Sequence, residues 1–282
     1  MERITDAVSL HGEGPFWDAV GRRLLHVDML AGDVIEVDLS GATARHHVGS
    51  VAAVIRARTS GGFLIALERG FQCFDDRFTC LGALLPAFEN PRIRMNEGGC
   101  DPQGRFYCGT MAYDMSPGAG AVWRLDPDRS IHTVLENVTI SNGLQWHADG
   151  ERVYYTDTPT RRVDVFDFDG TTGTFTNRRK FVGFEDGVGA PDGMGIDAEG
   201  GIWLAMFGGS SVRRYDSEGH LSEVVEVPVR NATACTFGGA DRRTLFITTS
   251  RLGLGGEAEP GAGAVFAYEA GVRGAEQYAY AG

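Results

Sequence analysis

The stretch Asp101-Pro102-Gln103-Gly104-Arg105-Phe106-Tyr107-Cys108-Gly109 joins a turn to a short run of aromatic and small residues. Asp-Pro with Gly two places on is turn chemistry, and the run behind it is strand-like and too short for a helix. The same pairing recurs along the chain, in the turns 18–21, 59–62, 148–150, 197–200 and 239–241 and the runs Leu24–Asp28, Phe63–Leu67, Val153–Asp157, Ile202–Met206 and Thr244–Thr248. A short strand precedes each turn. A third follows each run (Val34–Asp38, Gln72–Asp75, Val122–Asp126, Val163–Asp167, Val212–Asp216, Val265–Tyr268), and most units add a fourth, such as Ile131–Leu135 and Leu221–Val225. Four-strand units repeating every ~40–50 residues are the blades of a propeller. The chain is therefore expected to be all-β, a six-bladed β-propeller of four-stranded blades. The last unit lacks an outer strand while Glu2–Leu10 precedes the first, so the N-terminal strand is expected to close the last blade. No linker or charge block interrupts the pattern, and residues 1–282 read as one propeller domain.

Composition narrows the function classes. The 40 glycines in 282 residues are scattered without a collagen-like period, as many tight turns require. A formal net charge of -12 with no visible basic stripe argues against nucleic acid as a partner and disfavours an anionic membrane surface. No run approaches the ~18 apolar residues of a membrane span, and residues 1–10 carry no apolar signal segment. The five cysteines form no C-x-x-C pair and read as reduced thiols, which points to the cytoplasm.

In a propeller the innermost strand of each blade lines the central channel, so matching positions at its entrance converge on one axis. There the units read Gly12-Glu13-Gly14-Pro15, Asn96-Glu97-Gly98-Gly99, Ser141-Asn142-Gly143-Leu144 and Pro191-Asp192-Gly193-Met194. Four units thus offer a carboxylate or amide followed by Gly, whereas Val51–Val54 and Thr233–Phe237 offer neither. Single X-Gly pairs are ordinary turn chemistry. Four in register imply a cation between converging oxygens, and oxygen-only donors suit a hard divalent ion, Ca²⁺, Mg²⁺ or Mn²⁺.

Taken together, Gly12-Glu13-Gly14-Pro15-Phe16-Trp17, Arg94-Met95-Asn96-Glu97-Gly98, Gly109-Thr110-Met111, Ser141-Asn142-Gly143, Tyr155-Thr156-Asp157-Thr158, Pro191-Asp192-Gly193 and Thr248-Thr249-Ser250-Arg251 resemble, in order and over nearly the whole chain, the gluconolactonase, regucalcin and senescence-marker-protein family. The resemblance implies a divalent metal held by Glu13, Asn142 and Asp192, with Ca²⁺ first and Mn²⁺, Mg²⁺, Zn²⁺ and Fe²⁺ as alternatives. It implies substrate contacts at Arg94 and Asn96 and, where some members have Glu, at Asp114. Glu97 stands where the family usually has Asp.

The activity implied is metal-assisted hydrolysis of a small sugar lactone, with Asp192 as both ligand and candidate general base and Arg94 as stabiliser of developing negative charge. The alternatives are hydrolysis of other esters or organophosphates at the same metal, and a calcium-binding regulatory protein without turnover. The sequence leaves the oligomeric state open. No G-x-S-x-G, H-E-x-x-H or Walker motif occurs. The histidines form no cluster and are expected on the surface or in loops, Trp17 is the tryptophan expected nearest the site, and the Gly-rich stretch Arg251–Gly263 reads as a lid or a plain loop.

Overall fold

The computed structural model describes residues 1–255 and 259–282. Six four-stranded antiparallel sheets stand in a ring, a six-bladed β-propeller. The blades, from inner to outer strand, begin with Gly12–Asp18, Arg23–Asp28, Asp33–Val37 and Thr43–His47; the third comprises Ile93–Cys100, Phe106–Ala112, Gly120–Leu125 and Ile131–Val138. The inner strands of the others are Ala52–Ala57, Ser141–Trp146, Ala190–Ile196 and Ala232–Gly238. The expected strands match to within a few residues. Among the described residues, helix is confined to two short 3-10 turns, Met29–Ala31 and Thr158–Thr160, and no helix is long and apolar enough to cross a membrane.

Ring closure follows expectation. Glu2–Arg3 pairs antiparallel with Phe266–Glu269 and supplies the outer strand of the sixth blade. Ile4 N donates to Val265 O at 3.0 Å and Ser9 N to Gly263 O at 3.0 Å, extending the seam. The C-terminal segment makes a second closure. Ala275 N donates to Ile196 O at 3.1 Å, Tyr280 N to Ala57 O at 2.9 Å and Ala281 N to Gly104 O at 2.9 Å. It thereby straps the fifth, second and third blades together.

The blades pack through apolar side chains from their facing sheets. Trp203, Phe237, Leu245 and Ile247 fill one interface, and Phe16, Leu25, Ile55 and Phe63 another. Buried aspartates in the turns lock individual blades. Asp197 accepts from Glu199 N, Gly201 N, Trp203 Nε1 and Arg214 Nε. Asp101 accepts from Gln103 N, Arg105 N, Arg105 Nε and Tyr107 Oη in the decisive stretch of the third blade. Trp17 does not approach the channel mouth. Its ring stacks on Phe246, centroids 5.6 Å apart, between the first and sixth blades. The five cysteines are free thiols. In Arg251–Gly263, residues 256–258 lie outside the described residues, and the lid reading of that stretch falls partly on them.

Candidate functional site

Every inner strand slips register against its neighbour near its start. The slips fall between Glu13 and Phe16, Ala52 and Val54, Met95 and Gly98, Asn142 and Leu144, Pro191 and Met194, and Ala232 and Ala234. A bulge leaves the extra residue unpaired and re-aims the side chains around it. In four blades the slip falls at the X-Gly position, but the second and sixth blades slip at Ala52/Val54 and Ala232/Ala234 without a glycine, so Gly accompanies the bulge and is not required for it. Gly14 has φ +52°, and a Cβ on Gly193 would lie 2.5 Å from that of Ala234 on the next inner strand. Gly193 thus lets adjacent inner strands touch.

The entering chain is held by parallel devices in two blades. Asp28 accepts from Leu10 N and His11 N, both at 3.1 Å, just before Glu13. Asp157 accepts from Thr139 N at 3.1 Å and Ile140 N at 2.8 Å, just before Asn142. Each aspartate ends a second strand and precedes a 3-10 turn.

Glu13, Arg94, Asn96, Glu97, Asn142 and Asp192 are all buried. A polar chain links the third, fourth and fifth blades. Arg94 Nη1 donates to Asn96 Oδ1 at 2.6 Å, Asn96 Nδ2 donates to Ser141 O at 2.7 Å and Asn142 Oδ1 at 3.0 Å, and Asn142 Nδ2 donates to Thr158 Oγ1 at 2.8 Å. Thr158 spends its one hydrogen on Pro191 O at 2.9 Å. The hydroxyl must therefore accept from Asn142, which fixes that amide with its oxygen turned away from Thr158 and one lone pair still free.

Burial raises all three carboxylates, and Glu97 adds to the shift of the other two. Burial, then the neighbouring Glu97, pushes the Glu13 pKa up to about 8. Burial pushes Glu97 up to about 7 against the attraction of Arg56, and burial with Glu13 and Glu97 raises Asp192 well above the usual carboxylate range. Among the described residues, Glu97 Oε2 is buried without a hydrogen-bond partner, and Glu13 Oε2 accepts only a 3.2 Å bond from Gly14 N. Buried carboxylates short of donors are what a cation would relieve. No three His, Cys, Asp or Glu side chains among the described residues form a metal cage by themselves. A cation here would draw on the Asn142 oxygen together with Glu13 and Asp192, and the residues fit such an ion.

Arg94 is unusual in its partners. Beyond Asn96 and Met95 O, its guanidinium meets the sulfurs of Met29 at 3.0 Å and Met111 at 3.1 Å. Thioethers are weak acceptors, so a buried cation retains unsatisfied donors beside the carboxylates. Asp114 does not join the network. It is exposed, and its Oδ1 accepts from Ser116 N at 3.1 Å and Ser116 Oγ at 2.7 Å, which holds its pKa below the ordinary value.

Two residues escaped the sequence reading. His11 is buried, with Nδ1 2.9 Å from Ser250 Oγ and Nε2 3.9 Å from Glu13 Oε1. Burial and then Arg94 push its pKa down to about 3, so the imidazole is neutral. The expectation of surface or loop histidines is corrected here, and also at His26, which is buried. Arg56, from a blade without an entrance carboxylate, faces Glu97 from below, with its Nη2 donating to Gly98 O at 2.8 Å. The signal for His11 was its place two residues before Glu13; Arg56 had none.

The family model for the SMP-30/Gluconolactonase/LRE-like region matches residues 11–251. The chain belongs to this family. Regucalcin of Danio rerio is 36% identical over 279 residues, covering 96% of this chain and 95% of the relative. Regucalcin of Homo sapiens is 35% identical over 284 residues with the same coverage. Among solved structures, the calcium-binding protein regucalcin from Agrobacterium tumefaciens superposes with a TM-score of 0.91 at 28% identity, over 99% of this chain and 97% of that one. A luciferin-regenerating enzyme superposes at 0.90 and 27% identity, over 100% and 97%. The match of the SMP-30/gluconolactonase family model begins at His11, two residues before Glu13, and ends at Arg251, beside the Ser250 hydroxyl that holds the His11 ring.

Proposed function

We propose that this chain is a divalent-metal-dependent hydrolase that opens a small sugar lactone, with Glu13, Asn142 and Asp192 as the ligands of one cation. The observation that carries the reading is the meeting of donor-poor buried carboxylates with the oriented Asn142 amide, beside a guanidinium with no carboxylate in salt-bridge reach among the described residues. A bound divalent ion, Ca²⁺ first among the candidates, would polarise the lactone carbonyl and make water more acidic.

The chain's own groups then have separable tasks. Arg94 and Asn96 hold the substrate oxygens, and Arg94 stabilises charge as it develops on the carbonyl oxygen. The water oxygen bonds to the carbonyl carbon while Asp192 accepts its proton. The ring C–O bond breaks, and the proton passes to the departing alkoxide, leaving the open hydroxy acid. His11, neutral and braced by Ser250, packs beside Glu13 and limits its movement. The five free thiols support a cytoplasmic setting for this chemistry.

A calcium-binding role without turnover is the second reading, and the names of the regucalcin relatives favour it. Arg94 favours the enzyme, because an ion buffer has no use for a buried guanidinium beside its ligands. A panel of aldonolactones, simple esters and organophosphates, assayed with Ca²⁺, Mn²⁺, Mg²⁺ and Zn²⁺ before and after EDTA, separates the readings. Aldonolactone turnover lost to EDTA and restored by metal supports the lactonase. Tight metal binding with no turnover on any substrate supports the regulator, and turnover of other esters alone moves the substrate class.

A further inference from the structure

Above the buried network lies one exposed aromatic ring. Tyr113 directly follows the strand Phe106–Ala112 of the third blade and is 46% exposed, while Arg94 beneath it is 6% exposed. The Arg94 guanidinium carbon sits 6.0 Å from the centre of the Tyr113 ring. The ring is not a loose surface side chain. Its hydroxyl donates to Glu68 Oε1 at 2.7 Å, Glu68 Oε2 accepts from Ser50 Oγ at 2.9 Å, and Tyr113 N donates to Arg92 O at 2.9 Å. The phenol therefore spans from the third blade to the second and is tied at both ends, with much of the ring open to solvent. Met115, 58% exposed, adds apolar surface on the same loop.

We infer that Tyr113 is the platform on which the ring of the substrate rests, its face against the carbon-bound hydrogens of a sugar lactone whose oxygens reach down to Arg94 and Asn96. A pinned aromatic ring gives contact area without losing rotamer freedom on binding, and a polar network below with an apolar face above matches the two-sided chemistry of a sugar ring. Asp114, which the sequence offered for substrate contact, has its carboxylate turned into its own turn; the neighbouring tyrosine takes that place. The inference rests on the lactonase reading for the identity of the substrate, and its test is built to fail separately from it.

The test compares wild type, Tyr113→Ala and Tyr113→Phe on glucono-δ-lactone, and measures binding of the non-hydrolysable gluconolactam by calorimetry in the metal-loaded protein. Tyr113→Ala is expected to raise KM and the lactam Kd roughly three- to tenfold with kcat within about twofold. Tyr113→Phe, which keeps the ring but loses the hydroxyl that ties it to Glu68, is expected to fall between the two, with KM and the lactam Kd raised less than in Tyr113→Ala. Unchanged KM and Kd in Tyr113→Ala overturn the platform, as does a Tyr113→Phe protein as impaired as the alanine variant. If wild type turns over no lactone, the lactonase reading fails alone: a lactam Kd weakened by Tyr113→Ala still supports the platform, and a lactam that wild type does not bind overturns it.

Discussion

Asn96 donates its side-chain amide to Oδ1 of Asn142 at 3.0 Å, joining residues 46 positions apart on the inner strands of neighbouring blades. The bond runs from the residue proposed to meet substrate to a residue proposed to meet the cation. It ties the two halves of the site to one amide orientation, which Thr158 sets from the other side.

Thr158→Val keeps the shape of that side chain and removes the acceptor for Asn142 Nδ2. A partner one step behind a ligand typically governs about 10- to 100-fold in metal affinity. Mn²⁺ affinity by titration calorimetry should fall about tenfold, with little change in the melting temperature of the metal-free protein. Unchanged affinity would detach Thr158 from the site.

The carboxylates give the metal-free protein a pH signature. Glu13 and Glu97 are raised from an ordinary value of 4.5 to about 8 and about 7, and Asp192 is raised as well. Below the ordinary value they are neutral in folded and unfolded chains alike. As pH climbs towards 8, the unfolded chain sheds protons that the folded chain keeps, so stability falls. Below about pH 6.5 the buried neutral His11 and His26 pull the other way, so the melting temperature of EDTA-treated protein should drop most clearly between about pH 6.5 and pH 8, and added divalent metal should restore more of it at the upper end. Metal binding should also release protons, detectable by calorimetry in buffers of different ionisation enthalpy. A metal-free protein that gains stability over that window would contradict the buried carboxylate cluster.

Arg94→Met replaces the guanidinium with an apolar chain suited to its Met29 and Met111 neighbours. Loss of a preorganised donor to developing charge costs about 10²–10³ in rate. Lactone kcat/KM should fall by about that factor while Mn²⁺ binding persists. Equal loss of both would make Arg94 a structural residue.

Asp197→Ala tests the blade lock. It strips Trp203 Nε1 and Arg214 of a buried carboxylate at 2.8 Å from each. Breaking a buried pair on one side costs about 3–5 kcal/mol. Urea unfolding followed by Trp203 emission should show a loss of that size, with metal affinity in the folded state unchanged.

How much of this was written in the sequence varies by level. The blades were legible because each repeats a turn and a strand, and the outer strand missing from the last unit announced that the N-terminal segment closes it, as Glu2–Arg3 does. The X-Gly positions were legible because four of them fall in register. The bulges were not, since a bulge is a difference between two strands and leaves no mark on one. His11 had only its place two residues before Glu13 to mark it and Arg56 had nothing, because each acts through a neighbour that folding supplies, Ser250 for one and Glu97 for the other. Tyr113 looked like any loop aromatic until Arg94 lay beneath it.

Whether three blades share one cation is decided by anomalous diffraction from crystals soaked in Mn²⁺. The account predicts a single strong peak at the channel mouth within about 2.0–2.6 Å of oxygens from Glu13, Asn142 and Asp192. A peak coordinated elsewhere, or none at a concentration that supports turnover, would contradict it.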